Sequence, residues 1–127
     1  MSVYFAREKK NGLIKIGTSI DPENRVKNIR SSFGPSVGKV ELLNTIDGSY
    51  REEQFFQELL RKYHVRPSSH VKSREWFDPS DDVMYFVNSS KEWLDELINK
   101  WREIKEEYGD RVKFVFDGKN VIGKIDY

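Results

Sequence analysis

Short alternations of apolar and polar residues open this chain, and longer apolar stripes at helical spacing dominate the remainder. Val3 to Arg7 reads as a strand, Glu8 to Gly12 as a polar turn, and Leu13 to Thr18 as the antiparallel partner of the first run. In the second run Leu13, Lys15 and Gly17 share one face while Ile14 and Ile16 share the other, so the hairpin brings Tyr4 close to Lys15. Asp21-Pro22 supplies a helix N-cap and a pre-set first turn, which predicts a helix from Pro22 to about Ser31. Phe33-Gly34-Pro35-Ser36 breaks that helix, and Val40 to Ile46 reads as a third strand ahead of the Asp47-Gly48 turn.

Ser49-Tyr50-Arg51-Glu52 has the capping-box pattern and opens a second helix to about Tyr63. The box separates two adjacent glutamates, because Glu52 is committed to the backbone whereas Glu53 is free to face elsewhere. Phe55, Phe56, Leu59, Leu60 and Tyr63 recur at helical spacing and predict a core face. His64 to Arg74 is basic and without period, and reads as a lid or a nucleic-acid contact loop. Asp78-Pro79 repeats the earlier cap and predicts a short helix through Phe86. Ser89-Ser90-Lys91-Glu92 predicts a longer amphipathic helix to about Tyr108, its stripe of Trp93, Leu94, Leu97, Ile98, Trp101 and Ile104 forming a packing face. Arg111 to Phe116 and Asn120 to Ile125 form a closing hairpin across Asp117-Gly118-Lys119.

Composition narrows the setting. A chain of 127 residues has the size of one domain, and 37% apolar with 34% charged residues describes a globular chain with a heavily charged surface. The first residues lack the basic then apolar layout of a signal peptide and no run is long enough to span a membrane, so the expected location is cytoplasmic, with no membrane partner. Without cysteine, disulfides and thiolate metal sites are excluded. The net charge of +1 conceals an asymmetry. Residues 1 to 74 hold 14 Lys or Arg against 8 Asp or Glu, whereas residues 75 to 127 hold 8 against 13. A basic half suits a polyanion, since neutralising phosphates releases counterions; chance clustering of solvated charge is the alternative.

Tyr4, Lys15, Arg25 and Glu53 form a polar constellation at the expected junctions of strands and helices, where a small domain presents reactive groups. Arg25 falls in the first turn of its helix, where free amides already favour anions and an arginine gains nothing from the dipole. The alternatives are ordinary ones: an ion pair of Arg25 with Glu23, a solvated helix position for Glu53, and strand positions with polar tips in water for Tyr4 and Lys15.

Ser2-Val3-Tyr4, Lys15-Ile16-Gly17 and the helix carrying Arg25 resemble the GIY-YIG nuclease superfamily, and more closely its phage-associated branch, in which the second motif tyrosine is commonly a lysine. The order and spacing of these residues, with Glu53 and Arg74-Glu75-Trp76-Phe77 downstream, carry the resemblance over roughly residues 2 to 87. It implies an α+β fold with a small three-stranded antiparallel sheet flanked by helices, here followed by a C-terminal amphipathic helix and β-hairpin. Together with the chain's size it gives one domain over residues 1–127, with a nuclease core at 2–87 from the resemblance and an extension at 88–127 that the resemblance does not cover. The implied activity is metal-dependent endonucleolytic hydrolysis of DNA phosphodiester bonds. In it Glu53 holds Mg²⁺ or Mn²⁺, Tyr4 orients or deprotonates the attacking water, Arg25 stabilises charge gathering on phosphorus, and Lys15 supports Tyr4, contacts the phosphate or acts as the base.

Thr18, Ser19, Lys27, Arg30, Arg61, Lys62, Arg66, His70, Lys72 and Arg74 are the expected nucleic-acid contacts, although capping and turn formation account for Thr18 and Ser19 equally well. Gln57 stands where many members carry a histidine four positions beyond the metal-ligand glutamate. Trp76 and Phe77 are expected in the core. The competing expectation is a catalytically weak or inactive nucleic-acid-binding module of the same fold, and an adaptor acting through the acidic C-terminal helix is a third. Oligomeric state is not legible in the sequence.

Overall fold

A computed structural model describes residues 1–33, 39–66, 75–118 and 120–126. Its centre is an antiparallel sheet in the order β3-β1-β2-β4, formed by β1 (Ser2–Glu8), β2 (Ile14–Ser19), β3 (Val40–Asp47) and β4 (Trp76–Phe77). The α+β class and the hairpin expected from alternation are present. Register places Tyr4 opposite Gly17 and Ala6 opposite Lys15, so Tyr4 and Lys15 are diagonal neighbours on one face. The expected three-stranded sheet gains a fourth, two-residue strand, β4, paired to Ile14 and Lys15. Two residues are too few to show a period in a sequence.

Each face of the sheet carries its own core. Val3, Phe5, Ile14 and Ile16 point to one side and pack with Phe55, Phe56 and Leu59 of α2 (Tyr50–Leu59), Val83 and Phe86 of α3 (Asp81–Val87), and Leu94, Ile98 and Trp101 of α4 (Lys91–Tyr108). Tyr4 and Ala6 point to the other, against Val26 and Ile29 of α1 (Pro22–Phe33) and against Trp76. Period-two alternation thus sends Ile14 and Ile16 one way and Lys15 the other, and both faces are covered. The last hairpin, β5 (Val112–Phe116) with β6 (Val121–Ile125), joins the first core through Phe116. The aromatic stripes of α2 and α4 are packing faces, as their spacing predicts: Phe56 and Leu94 are fully buried.

Several boundaries move for local reasons. The second helix ends at Leu59 and continues as a 3₁₀ turn over Arg61–Tyr63. The third starts at Asp81 rather than directly after Asp78-Pro79, because the Ser80 hydroxyl accepts the Val83 amide hydrogen. In the fourth the cap is Ser90, whose Oγ accepts from the Trp93 amide at 3.1 Å, whereas the Ser89 hydroxyl donates to the Tyr85 carbonyl at 2.6 Å and closes α3. The beginning of the basic loop is held to the sheet, contrary to its irregular sequence: Val65 N donates to Trp76 O at 2.9 Å and Asp78 N to Tyr63 O at 2.8 Å. The rest of that loop, the Gly34-Pro35-Ser36 break and Lys119 lie outside the described residues. No helix among the described residues is long and apolar enough to cross a membrane.

Candidate active site

β1, β2 and the start of α2 bring three of the four constellation residues into one buried neighbourhood. Because Tyr4 lies opposite Gly17, its ring leans over a position with no side chain: a Cβ there would sit 2.6 Å from Tyr4 Oη and 3.1 Å from Lys15 Nζ. That close approach explains the glycine of Lys15-Ile16-Gly17 in physical terms. Tyr4 Oη then accepts a hydrogen bond from Lys15 Nζ at 2.9 Å. Tyr4 and Lys15 are each 1% exposed. The alternative of polar tips in water does not hold for either, since α1 and Trp76 cover this face of the sheet.

Lys15 Nζ makes a second contact, 2.7 Å to Glu75 Oε2. Glu75 enters from the residue just before β4, and its own carbonyl accepts from Ile16 N at 2.8 Å. It is fixed to β2 by backbone and side chain together. β4 covers β2 only at Ile14 and Lys15, and beyond it α2 reaches the strand, where Gln57 Nε2 donates to the Ile16 carbonyl at 3.3 Å. Gln57 is thus a strut between α2 and β2.

Glu53, one turn before Gln57, is 2% exposed, and its Oε1 has no hydrogen-bond partner among the described residues. Burial, and then the Glu75 carboxylate beside it, push the Glu53 carboxyl up to about 7, with Lys15 opposing. Glu53 also shares a hydrogen bond with the Glu75 carboxyl. Among the described residues no group of three or more His, Asp or Glu side chains gathers as a metal cluster. The neighbouring glutamate behaves otherwise. Glu52 Oε2 accepts from Ser49 N at 3.0 Å, completing the capping box, and Glu52 Oε1 accepts from Arg102 Nε of α4 at 3.0 Å. Burial alone would raise its carboxyl, but Arg102 and Ser49 outweigh it and hold the group at about 2. The division of labour between the two glutamates follows the capping pattern.

Arg25 lies in the first turn of α1, exposed, on the helix whose Val26 packs beside Tyr4. Asp21 caps that turn by accepting from Asn24 N at 3.3 Å. Among the described residues the Arg25 side chain forms no hydrogen bond or ion pair with the buried cluster or with Glu23. Of the expected nucleic-acid contacts, Lys27, Arg61, Lys62 and Arg66 are exposed, and Thr18 and Ser19 are half-buried. Ser19 Oγ accepts from Asp21 N at 3.0 Å, a turn role. Lys62 Nζ lies 3.9 Å from Asp82. Arg30 belongs to α1, and His70, Lys72 and Arg74 lie outside the described residues. A cleft of about 460 Å³ is lined by Gln54, Gln57, Glu58, Arg61, His64 and Phe77, and by none of the four cluster residues.

The residues sequence reasoning passed over are Glu75 and Arg102. Glu75 was visible only as part of Arg74-Glu75-Trp76-Phe77, and nothing local to Arg102 announces its reach to Glu52. The T5orf172 domain profile matches residues 1–102. Neither a curated protein nor a solved structure matches the chain.

Proposed function

Because the chain belongs to the T5orf172 domain family, a phage-associated domain in the GIY-YIG-like, nuclease-related grouping, we propose that it is a metal-dependent endonuclease hydrolysing DNA phosphodiester bonds, of the GIY-YIG type with Lys15 in place of the second tyrosine. The observation that carries this reading is the cluster of buried Tyr4, Lys15 and Glu53 with half-buried Glu75, in which one Glu53 oxygen is unpartnered among the described residues beside a second carboxyl group. Two carboxyl groups share one ammonium here, and the buried, orphaned oxygen of Glu53 fits a hard divalent cation, whose charge would favour the ionised form of that carboxyl.

In this reading Glu53 would hold Mg²⁺ or Mn²⁺, and the ion would supply Lewis acidity and a readily ionised water. Tyr4 would orient the attacking water through its hydroxyl, whose position Lys15 fixes by its hydrogen bond. Arg25, permanently charged and exposed, forks across phosphate oxygens where charge accumulates. Lys27, Arg61 and Arg66 hold the flanking backbone.

One reading of another class has its own support. Tyr4 and Lys15 are closed to solvent and Gln57 is spent as a strut, both of which favour a catalytically weak nucleic-acid-binding module. Incubation with supercoiled plasmid and Mg²⁺ or Mn²⁺ separates the two. The nuclease reading expects nicking by the wild-type protein and at least about 100-fold slower nicking by Glu53→Gln, with DNA affinity retained. Equal rates for the two proteins would remove Glu53 as the ligand, and retention of DNA without any cut would leave the binding module.

A further inference from the structure

Resting on the nuclease reading, we infer that Glu75 is a positioning residue of the same site: it holds the Lys15 amine against Tyr4 Oη and leaves the free oxygen of Glu53 open for a cation. The first support is geometric. A lysine has four rotatable methylenes and no preference of its own for one endpoint, yet Lys15 Nζ sits between two oxygens, Tyr4 Oη at 2.9 Å and Glu75 Oε2 at 2.7 Å. Tyr4 is a neutral acceptor; Glu75 supplies the counter-charge that lets an ammonium remain in a position 1% exposed.

The second support is how Glu75 is itself held. Its carbonyl takes the Ile16 amide hydrogen at 2.8 Å, so its backbone is in register with the strand that carries Lys15, and Trp76 beyond it pairs with Lys15. The carboxylate therefore approaches Lys15 from a fixed backbone rather than from a long free side chain, as positioning requires. The third support divides the two carboxylates. Glu75 Oε2 is occupied by Lys15, whereas Glu53 Oε1 is buried and without a partner among the described residues. An oxygen already bound to an ammonium is a poor metal ligand, so the cation falls to Glu53 and the ammonium to Glu75.

The test pairs cleavage with a readout that does not depend on it. In protein labelled with ¹⁵N-lysine, a buried ammonium with two hydrogen-bond acceptors exchanges its protons slowly and gives a ¹⁵Nζ signal at neutral pH, identified by its loss in Lys15→Met. Glu75→Gln is expected to lose that signal, to cut plasmid about 10- to 100-fold more slowly in kcat, and to keep DNA affinity within about twofold of wild type. Glu75→Asp, which retains the charge, is expected to recover part of both. Thermal unfolding confirms that each variant is folded, and the partly exposed Glu75 side chain makes the isosteric change mild. Persistence of the signal in Glu75→Gln overturns the inference, as does an active enzyme indifferent to the change or one that binds DNA more tightly, which would make Glu75 a competitor of the phosphate. If the wild-type protein cuts nothing, the nuclease reading falls and Glu75's part in the reaction falls with it. An active wild type with an unaffected Glu75→Gln sinks the inference alone.

Discussion

Glu53 resists ionisation because two causes act together, burial and the Glu75 carboxylate, and they raise its carboxyl from the ordinary 4.5 to about 7. The fold therefore favours the protonated form. Its contribution to stability is complete below about pH 4.5 and is lost as the pH rises toward about 7. Metal-free Glu53→Gln, which cannot ionise, is expected to match the wild type near pH 4 and to melt several degrees higher at pH 8. Mg²⁺ at pH 8 is expected to raise the wild-type melting temperature and leave the variant unmoved. Parallel melting curves across that pH range, or equal responses to Mg²⁺, would show that Glu53 neither resists ionisation nor holds the ion. At this scale the sequence was partly legible. Tyr4 and Lys15 were placed together by strand alternation alone, and Glu53 was separated from Glu52 by the capping pattern. Their burial was not legible, because Trp76, which pairs with Lys15, is distant in the chain and becomes its neighbour only in the folded sheet.

α2 shows which element-level features local sequence encodes and which it does not. Ser49 and Glu52 are three residues apart, so their reciprocal hydrogen bonds are a property of one helical turn and can be read directly. Arg102 reaches the same Glu52 from α4, a contact spanning 50 positions that no period announces. It joins the N-terminus of α2, and so the first turn that carries Glu53, to the C-terminal part of the chain. The caps of α3 and α4 were misplaced by one or two residues because runs such as Ser89-Ser90 offer two hydroxyls, and only packing decides which one caps. With Arg102 and Ser49 overcoming burial, the Glu52 carboxyl lies at about 2 against an ordinary 4.5, so its contribution is present above about pH 4.5 and is lost as the pH falls toward 2. Glu52→Gln is expected to cost about 1 to 2 kcal/mol at pH 7, measured by urea unfolding, and the difference from wild type is expected to shrink below pH 4.5. A penalty independent of pH would mean that shape rather than charge holds the two helices.

Across the whole molecule, the charge asymmetry of the sequence becomes an asymmetry of faces. α1, with exposed Arg25 and Lys27, covers one side of the sheet, whereas α4, with exposed Glu92, Asp95, Glu96, Glu103, Glu106 and Glu107, lies on the other. In the proposed function a duplex would be drawn to the first and repelled by the second, which would orient the phosphate backbone toward the face that holds Tyr4 and Lys15. Exposed Arg61, in the 3₁₀ turn after α2, lines the cleft and would be a second basic point of contact in that reading. If about four phosphates are neutralised together, the logarithm of affinity falls against the logarithm of salt with a slope of about −3.6, roughly a 100-fold loss between 50 and 200 mM. Lys27→Ala with Arg61→Ala is expected to reduce that slope by about 1.8, since each removed contact is worth about 0.9, and to weaken binding to unrelated sequences alike. Lys100→Ala with Lys105→Ala, a matched loss of two charges on α4, is expected to change neither slope nor affinity. Fluorescence anisotropy of a labelled duplex over a salt series measures both pairs. Equal effects from the two, or an affinity indifferent to salt, would mean that the basic half of the chain is not the surface that meets DNA.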